Sequence, residues 1–231
     1  MAPLPRLYLN KVVAGLAQML EEMDIDYALM GGAAVCLLVY DATRMTEDVD
    51  IVINVDHRNI TTDQLITQLI QRYPSDIAPI TQFGYTIPAY KLILPKGQVQ
   101  LVEIEIFDYQ SWPQRPQYDI SRARRKTLQV NGQVVKVFSN EWIFREKVLC
   151  QYQRQGSDKE GTDIWDITSL LLYLERGKPE LDFDRDRDLT AALQNLLEKR
   201  PGLAPRLKEV VKCSAVFGEW YTSEWGHCCG Y

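Results

Sequence analysis

The chain has 231 residues, with 26 Lys and Arg against 31 Asp and Glu, and its formal net charge is −5. Hydrophobic residues make up 46% and charged residues 25%, a globular composition that excludes a largely disordered chain. The acidic balance gives no reason to expect a surface that coats nucleic acid broadly. No run of 18 apolar residues occurs, and the amphipathic start lacks the features of a secretory signal, so we expect no membrane span and no leader.

The five cysteines do not form the pattern of a disulfide framework. Their number is odd and small for a chain of this length, so we expect a reducing, cytoplasmic location. Cys228 and Cys229 are adjacent and lack the C-x₂₋₄-C spacing that is typical of zinc ligands. We therefore interpret the end of the chain, including His227, as a loose tail and not as a metal site.

The first half of the chain mixes the periodicities of helices and strands. Asn131-Gly132 between two β-branched runs is the strongest hairpin signal in the sequence. Thr61 or Thr62 is expected to cap a helix that reaches Tyr73. The predicted elements are, in chain order, a helix over 7–23, a strand over 27–30, a helix over 33–40, a strand over 49–55, a helix over 61–73, strands over 90–94 and 99–107, and a hairpin over 128–138.

The second half carries helical patterns, and no convincing strand is predicted beyond Ser139. We therefore expect an α+β fold with two domains, a mixed α/β domain over 1–138 and a helical domain over 139–231 that ends in an irregular tail. The helices predicted in the second domain cover residues 139–153, 161–174, 186–199 and 203–217.

Gly31 and Gly32 lie where a predicted strand ends and a helix begins. Glycines allow the backbone to approach a ligand closely, and the N–H groups of a helix start suit a phosphate group. A Gly-Gly pair alone is a weak signal, because many strand-to-helix turns contain glycine.

Two pairs of acids alternate along predicted strands. Asp48 and Asp50 are two residues apart, so both side chains lie on one face of the strand, and so do those of Glu103 and Glu105. Neighbouring carboxylates repel one another unless a cation lies between them, and hard oxygen ligands suit Mg²⁺. A solvated sheet face explains the glutamates equally well, and a turn explains the aspartates equally well.

The ordered set of motifs resembles the DNA polymerase β-like nucleotidyltransferase superfamily. Lys147 and the run Thr162–Ile167 are similar to the later motifs of abortive-infection-type, toxin-like minimal nucleotidyltransferases. The resemblance implies a nucleotidyltransferase-like mixed sheet flanked by helices and followed by a C-terminal helical bundle. The motifs that carry it are Gly31-Gly32, Arg44-x-Thr46-x-Asp48-x-Asp50, the acidic strand 102–107, Lys147, Arg154 and Asp163-x-x-Asp166.

The resemblance also implies a site that binds a nucleoside triphosphate such as ATP together with two Mg²⁺ ions. Asp48, Asp50 and Glu105 would be the catalytic metal ligands. The nucleotide-binding residues would be Gly31, Gly32, Arg44, Thr46, Lys147 and Asp163.

Three features depart from the family pattern or have a second interpretation. The third carboxylate is usually Asp, and the choice of Glu105 over Glu103 depends only on how the strand ends. Thr162 replaces the basic residue that often precedes Asp163. Lys147 or Arg154 could also form a purely structural ion pair with Asp163 on the next helix.

The function predicted is therefore transfer of a nucleoside monophosphate to an acceptor hydroxyl by two-metal in-line displacement. The sequence does not determine whether the acceptor is an RNA end, a protein hydroxyl or a small molecule. A basic cluster with nearby aromatics could bind RNA, although such runs are more often a solvated face. The alternatives are a non-catalytic nucleotide-binding or interaction module and, more weakly, a toxin held by a binding partner. The basic cluster that could bind RNA consists of Arg115, Arg122, Arg124, Arg125 and Lys126.

Overall fold

Residues 2–41, 43–56, 58–82, 84–112 and 118–218 are described in the computed structural model of the protein. The chain divides into two units, Met1–Ser139 and Asn140–Tyr231. Arg115 of the basic cluster and the tail residues His227, Cys228 and Cys229 lie outside the described residues.

The first unit is built on one mixed sheet of seven strands, in the order β3-β4-β5-β2-β1-β7-β6. The pairs β2–β5 and β1–β7 are parallel and the other neighbours are antiparallel. The predicted α+β class with a helix-flanked mixed sheet is thus confirmed. The elements are α1 (Arg6–Glu22), β1 (Tyr27–Met30), α2 (Gly31–Leu38), β2 (Asp48–Ile53), α3 (Thr62–Arg72), β3 (Ile77–Gln82), β4 (Tyr85–Ile93), β5 (Val99–Asp108), β6 (Arg125–Val130) and β7 (Gln133–Phe138).

Local sequence signals determine the ends of several of these elements. Asn131 and Gly132 both have positive φ angles, 49° and 83°, as the tight turn between β6 and β7 requires. Thr61 caps α3 through a capping box, in which its hydroxyl accepts from the Gln64 N–H and the Gln64 side chain accepts from the Thr61 N–H. Both features agree with the sequence prediction.

Strand β3 was not predicted, and β4 begins at Tyr85 instead of Tyr90. Each strand contains a proline, and Pro79 and Pro88 lie directly opposite one another in the β3–β4 pair. Proline lacks a backbone donor and weakens the strand pattern, but it is tolerated in an edge strand such as β3. Pairing in the tertiary structure therefore outweighs the local signal here.

The core of the first unit lies beneath α1 and along one face of the central strands. Eight residues of α1 are buried, and the hydroxyl of Tyr90 would lie 2.5 Å from a Cβ placed on Gly15, so this glycine permits close packing of α1. In β5 the residues Val102, Ile104 and Ile106 are buried, whereas Glu103 and Glu105, on the opposite face, are half-buried. This alternation leaves the acidic face of the sheet accessible.

The second unit is helical. Stacked rings of Phe144 and Phe183, with centroids 6.5 Å apart, lie in its core. Gln151, which is fully buried, donates to the carbonyl of Ala192 and links α4 to α6. The helices are α4 (Asn140–Gln153), α5 (Asp158–Leu170), α6 (Arg187–Lys199), α7 (Ala204–Val210) and α8 (Ser214–Phe217), with short 3₁₀ turns at 171–173, 179–181 and 201–203.

The single helix predicted over 203–217 is wrong. The chain is extended between α7 and α8, where Lys212 exchanges backbone hydrogen bonds with Leu181 and Phe183. These long-range bonds replace the helical bonds that the apolar spacing favoured. No helix in the described part of the chain is long and apolar enough to cross a membrane.

Candidate active site

Three carboxylates meet on the accessible face of the sheet in the first unit. Strand β2 lies parallel to β5 in a register that places Asp50 opposite Glu105 and Asp48 opposite Glu103. Ligand oxygens of Asp48, Asp50 and Glu105 all lie within 4.8 Å of one another, and the three residues are half-buried. The structure therefore brings together the three residues that were predicted as metal ligands.

The chemistry of this cluster suits a divalent cation. Three acids at this spacing repel one another when ionised, and a bound cation removes the repulsion. Carboxylate oxygens are the ligands that Mg²⁺ prefers, and Mg²⁺ usually keeps water or substrate phosphate as its remaining ligands. Because the residues are only half-buried, there is access for such ligands.

Gly31 provides the space that the Asp50 carboxylate occupies. Met30, the last residue of β1, is opposite Asp50 on β2, so the turn into α2 passes directly over this side chain. Gly31 has a φ angle of +66°, and a Cβ placed on it would lie 1.8 Å from Oδ2 of Asp50. Only glycine fits here, both because of the backbone conformation and because of the contact.

Gly32 is in similarly close contact with the segment that leads into β2. A Cβ on Gly32 would lie 2.5 Å from the Thr46 hydroxyl and 3.2 Å from Nη2 of Arg44. The guanidinium of Arg44 therefore lies against the glycine turn, and whether it contacts a phosphate or is only a loop charge stays a prediction. The Cys36 thiol, on α2, donates to the Arg44 carbonyl at 3.4 Å and ties this segment to the helix.

Thr46 orients one of the three acids. Its hydroxyl donates to Oδ1 of Asp48 at 3.0 Å, and its carbonyl accepts from the Leu4 N–H at 2.6 Å. Thr46 is buried, so its side chain is held in place. The hydrogen bond therefore restrains the Asp48 carboxylate.

Glu103, the alternative third carboxylate, has a different environment. Nε2 of Gln82, on β3, donates to Oε2 of Glu103 at 3.3 Å. The group of acids that could hold a cation, among the described residues, contains Glu105 and not Glu103. Sequence reasoning had no signal for the Gln82 contact, because β3 was not predicted.

Asp108 is a buried acid that the sequence analysis passed over. Thr62 donates to its Oδ2 at 2.5 Å, and the Ser111 N–H donates to its Oδ1 at 2.6 Å. Burial opposes ionisation, but these hydrogen bonds outweigh it and hold the pKa of the Asp108 carboxyl below its ordinary value. Asp108 thus anchors the start of α3 to the end of β5.

Lys147 and Asp163 lie in the helical unit, where they belong to one buried ion-pair cluster. Nζ of Lys147 is 2.8 Å from Asp163 and 2.7 Å from Asp166, and Nη1 of Arg154 is 3.2 Å from Asp163. Burial disfavours the charged ammonium, but Asp166 and Asp163 outweigh it and raise the Lys147 pKa. The structural ion pair is therefore present, and a nucleotide contact by Lys147 or Asp163 stays a prediction.

One residue of the basic cluster, Arg125, forms an ion pair within the first unit. Arg125 and Lys136 lie 2.7 Å and 2.6 Å from Oδ1 of Asp26. Burial works against ionisation of Asp26, but the two cations lower its pKa nonetheless. Arg122 and Arg124 are exposed. RNA binding by this cluster stays a prediction.

Comparisons with known proteins found a matching family and similar solved structures. The sequence profile of the family described as "Nucleotidyl transferase AbiEii toxin, Type IV TA system" matches residues 16–216. The chain is 62% identical to an antigenic nucleotidyltransferase-like protein from Paracoccidioides brasiliensis, whose crystal structure has a TM-score of 0.90 over 94% of this chain and 99% of that one.

A more distant likeness extends to bacterial proteins. The crystal structure of JHP933 from Helicobacter pylori has a TM-score of 0.50 at 17% identity, over 86% of this chain and 75% of that one. At this identity the likeness shows the fold alone. A search of curated proteins found no match.

Proposed function

This chain belongs to the AbiEii nucleotidyl transferase family, and on that premise we propose that it is a Mg²⁺-dependent nucleotidyltransferase. The reaction would move a nucleoside monophosphate from a nucleoside triphosphate to an acceptor hydroxyl. The observation that carries the proposal is the convergence of Asp48, Asp50 and Glu105 within 4.8 Å beside Gly31.

Each residue of the site has a role that its surroundings support. Asp48, Asp50 and Glu105 would hold Mg²⁺, with Asp48 oriented by Thr46. When bound, Mg²⁺ neutralises charge on the triphosphate and lowers the pKa of the acceptor hydroxyl. Glu105 would also accept the proton that this hydroxyl loses.

The glycine turn would hold the triphosphate. Backbone N–H groups in the first turn of α2 have no partner within the helix, and a helix N-terminus favours an anion. The guanidinium of Arg44 lies against Gly32 and would add a charge-assisted hydrogen bond to a phosphate oxygen.

The proposal is tested by the double variant Asp48→Asn/Asp50→Asn, supplied with labelled nucleoside triphosphates, Mg²⁺ and acceptors of three kinds: total RNA, hydroxyl-bearing peptides and small alcohols. We expect pyrophosphate release by the wild type and a loss of about 10³-fold in the variant, since metal neutralisation contributes several kcal/mol. The control variant Asp119→Asn/Asp158→Asn has the same charge change at two residues outside the cluster and should retain release.

Two outcomes would count against the proposal. Equal pyrophosphate release by the two double variants would contradict a role for the acidic cluster. Mg²⁺-dependent nucleotide binding with no release for any acceptor would instead identify a nucleotide-binding module, the alternative that the glutamate at position 105 raises.

A further inference from the structure

A cleft opens in the sheet of the first unit where β4 and β5 separate. The antiparallel pairing of these strands runs from Ile93 opposite Val99 to Ala89 opposite Glu103, where the register ends within the described strands. Pro88, the next residue of β4, has no N–H to donate. Beyond this point β4 pairs only with β3, and β5 pairs only with β2.

Helix α3 forms the third wall of this cleft. Leu65 and Leu69 of α3 are fully buried, but Ile66 and Ile70 are half-buried and line the cleft. The helix thus has a second row of apolar side chains, which does not pack into the core. The sequence shows this row as two isoleucines four residues apart, beside the leucines at the same spacing.

The cleft reaches the candidate active site. Consecutive residues of β5, Glu105, Ile106 and Phe107, all line it. Side chains of consecutive strand residues point to opposite faces, so the cleft lies along the edge of β5 that β4 leaves unpaired. Trp112, whose ring centroid is 6.1 Å from that of Phe107, adds aromatic surface to the wall. Glu105 therefore belongs both to the cleft and to the metal-binding cluster.

The size and the charge of the cleft limit what it can bind. Its volume is about 860 Å³, which is in the range of small-molecule sites. The charged residues that line it in the described part of the chain are Asp63 and Glu105, and no Lys, Arg or His is among them. An acidic, partly apolar cavity disfavours a polyanion such as RNA and favours a neutral or cationic molecule.

We propose that this cleft is the acceptor subsite and that the acceptor is a small hydroxyl compound with an apolar or aromatic body and no negative charge. The inference rests on the proposed function, because Glu105 connects the cleft to the metal-binding cluster. In the reaction, the acceptor oxygen forms a bond to the α-phosphorus of the nucleoside triphosphate. The bond between the α-phosphorus and the oxygen that bridges it to the β-phosphorus breaks, and pyrophosphate leaves with the electron pair of that bond. Glu105 takes the proton of the acceptor hydroxyl.

The test measures binding of three matched probes to the full chain by saturation-transfer difference NMR. The neutral probe is 2-phenylethanol, the cationic probe is 2-amino-1-phenylethanol and the anionic probe is 3-phenyllactate. We expect the cationic probe to bind about tenfold more tightly than the anionic one, with the neutral probe between them, because two carboxylates line the cleft.

Two variants, each with a matched control, locate the binding. Ile70→Trp fills the cleft and should abolish the signal of all three probes, whereas Val134→Trp adds the same ring at an exposed position of β7 and should leave it unchanged. Asp63→Asn should reduce the preference for the cationic over the anionic probe about threefold, while Asp119→Asn, in a turn outside the cleft, should not.

Mg²⁺-dependent binding of a non-hydrolysable nucleoside triphosphate, measured in the same samples, separates the two proposals. Probe binding without nucleotide binding overturns the proposed function and leaves the cleft as a small-molecule site. Probe signals that persist in Ile70→Trp, or an anionic probe that binds as tightly as the cationic one, overturn the cleft proposal. A short oligoribonucleotide whose binding Ile70→Trp removes would overturn it in favour of an RNA acceptor.

Discussion

The space between Gly31 and Asp50 determines the geometry of the candidate site at the scale of single residues. The Asp50 carboxylate occupies the volume that any side chain at position 31 would need, and the φ angle of Gly31 is one that other residues rarely adopt. Thr46 has a comparable effect on Asp48, since its hydroxyl holds one carboxylate oxygen. The geometry of the acidic cluster therefore depends on two neighbours outside it, Gly31 and Thr46.

Gly31→Ala is expected to abolish Mg²⁺-dependent nucleotide binding, because the added Cβ would displace the Asp50 carboxylate. The backbone conformation would add roughly 1–2 kcal/mol of strain. Isothermal titration with a non-hydrolysable triphosphate measures the effect.

Gly132→Ala is the matched control for this substitution. Gly132 also has a positive φ angle, +83°, but nothing lies within 4 Å of its added Cβ. Gly132→Ala should carry a similar backbone strain and retain nucleotide binding. If Gly31→Ala binds nucleotide as the wild type does, the close contact with Asp50 has no functional consequence.

The pairing of α4 with α5 illustrates how charges act at the scale of elements. Lys147 on α4 lies between Asp163 and Asp166 on α5, and all three are buried. The raised pKa of Lys147 keeps it charged at neutral pH. Its contribution to stability is therefore complete below the ordinary lysine pKa and is lost only as the pH rises through the raised value.

Lys147→Met should lower the free energy of unfolding by about 3–5 kcal/mol, because it removes the cation that the buried Asp163 and Asp166 share and leaves Asp163 with only the more exposed Arg154. Lys178→Met removes an ion pair with the largely exposed Glu175 and should cost less than about 1 kcal/mol. Urea denaturation followed by circular dichroism compares the two. A loss in Lys147→Met no larger than that in Lys178→Met would contradict the assignment of this cluster as the link between the helices.

Electrostatics also acts at the scale of the whole molecule, where the net charge of −5 adds to the local repulsion of three clustered acids. A cation that binds only the folded chain stabilises it in proportion to the logarithm of its concentration. The acidic cluster should therefore connect global stability to the concentration of Mg²⁺.

We expect Mg²⁺ at a hundred times its dissociation constant to stabilise the wild type by about 2.7 kcal/mol. Asp48→Asn keeps an acceptor for the Thr46 hydroxyl and removes one charge, so it should be at least as stable as the wild type without Mg²⁺ and should gain much less from it. Thermal unfolding at constant ionic strength measures both effects, with Asp119→Asn as the control. Equal Mg²⁺ responses in the two variants would place the cation elsewhere.

Much of the architecture follows from local patterns. The alternation of apolar residues defines the central strands, Asn131-Gly132 defines a hairpin, and Thr61 defines the start of α3. Strand β3 could not be predicted in this way, because Pro79 weakens its local signal and only pairing with β4 stabilises it. The break between α7 and α8 has the same kind of cause, a long-range pairing of Lys212.

The sequence by itself determined which acids are candidates, because residues two apart on a strand must share a face and a Gly-Gly turn must permit close approach. Its choice of Glu105 over Glu103 depended only on how the strand ends, since both glutamates satisfy the same periodicity. The tertiary structure gives the two glutamates different surroundings, because the Glu105 carboxylate lies within 4.8 Å of those of Asp48 and Asp50, whereas Gln82 donates to Glu103. The sequence did offer an ion pair of Lys147 or Arg154 with Asp163, and the structure contains both pairs. The cleft beside β5, in contrast, was decided by contacts between segments far apart in the chain, which no local period encodes.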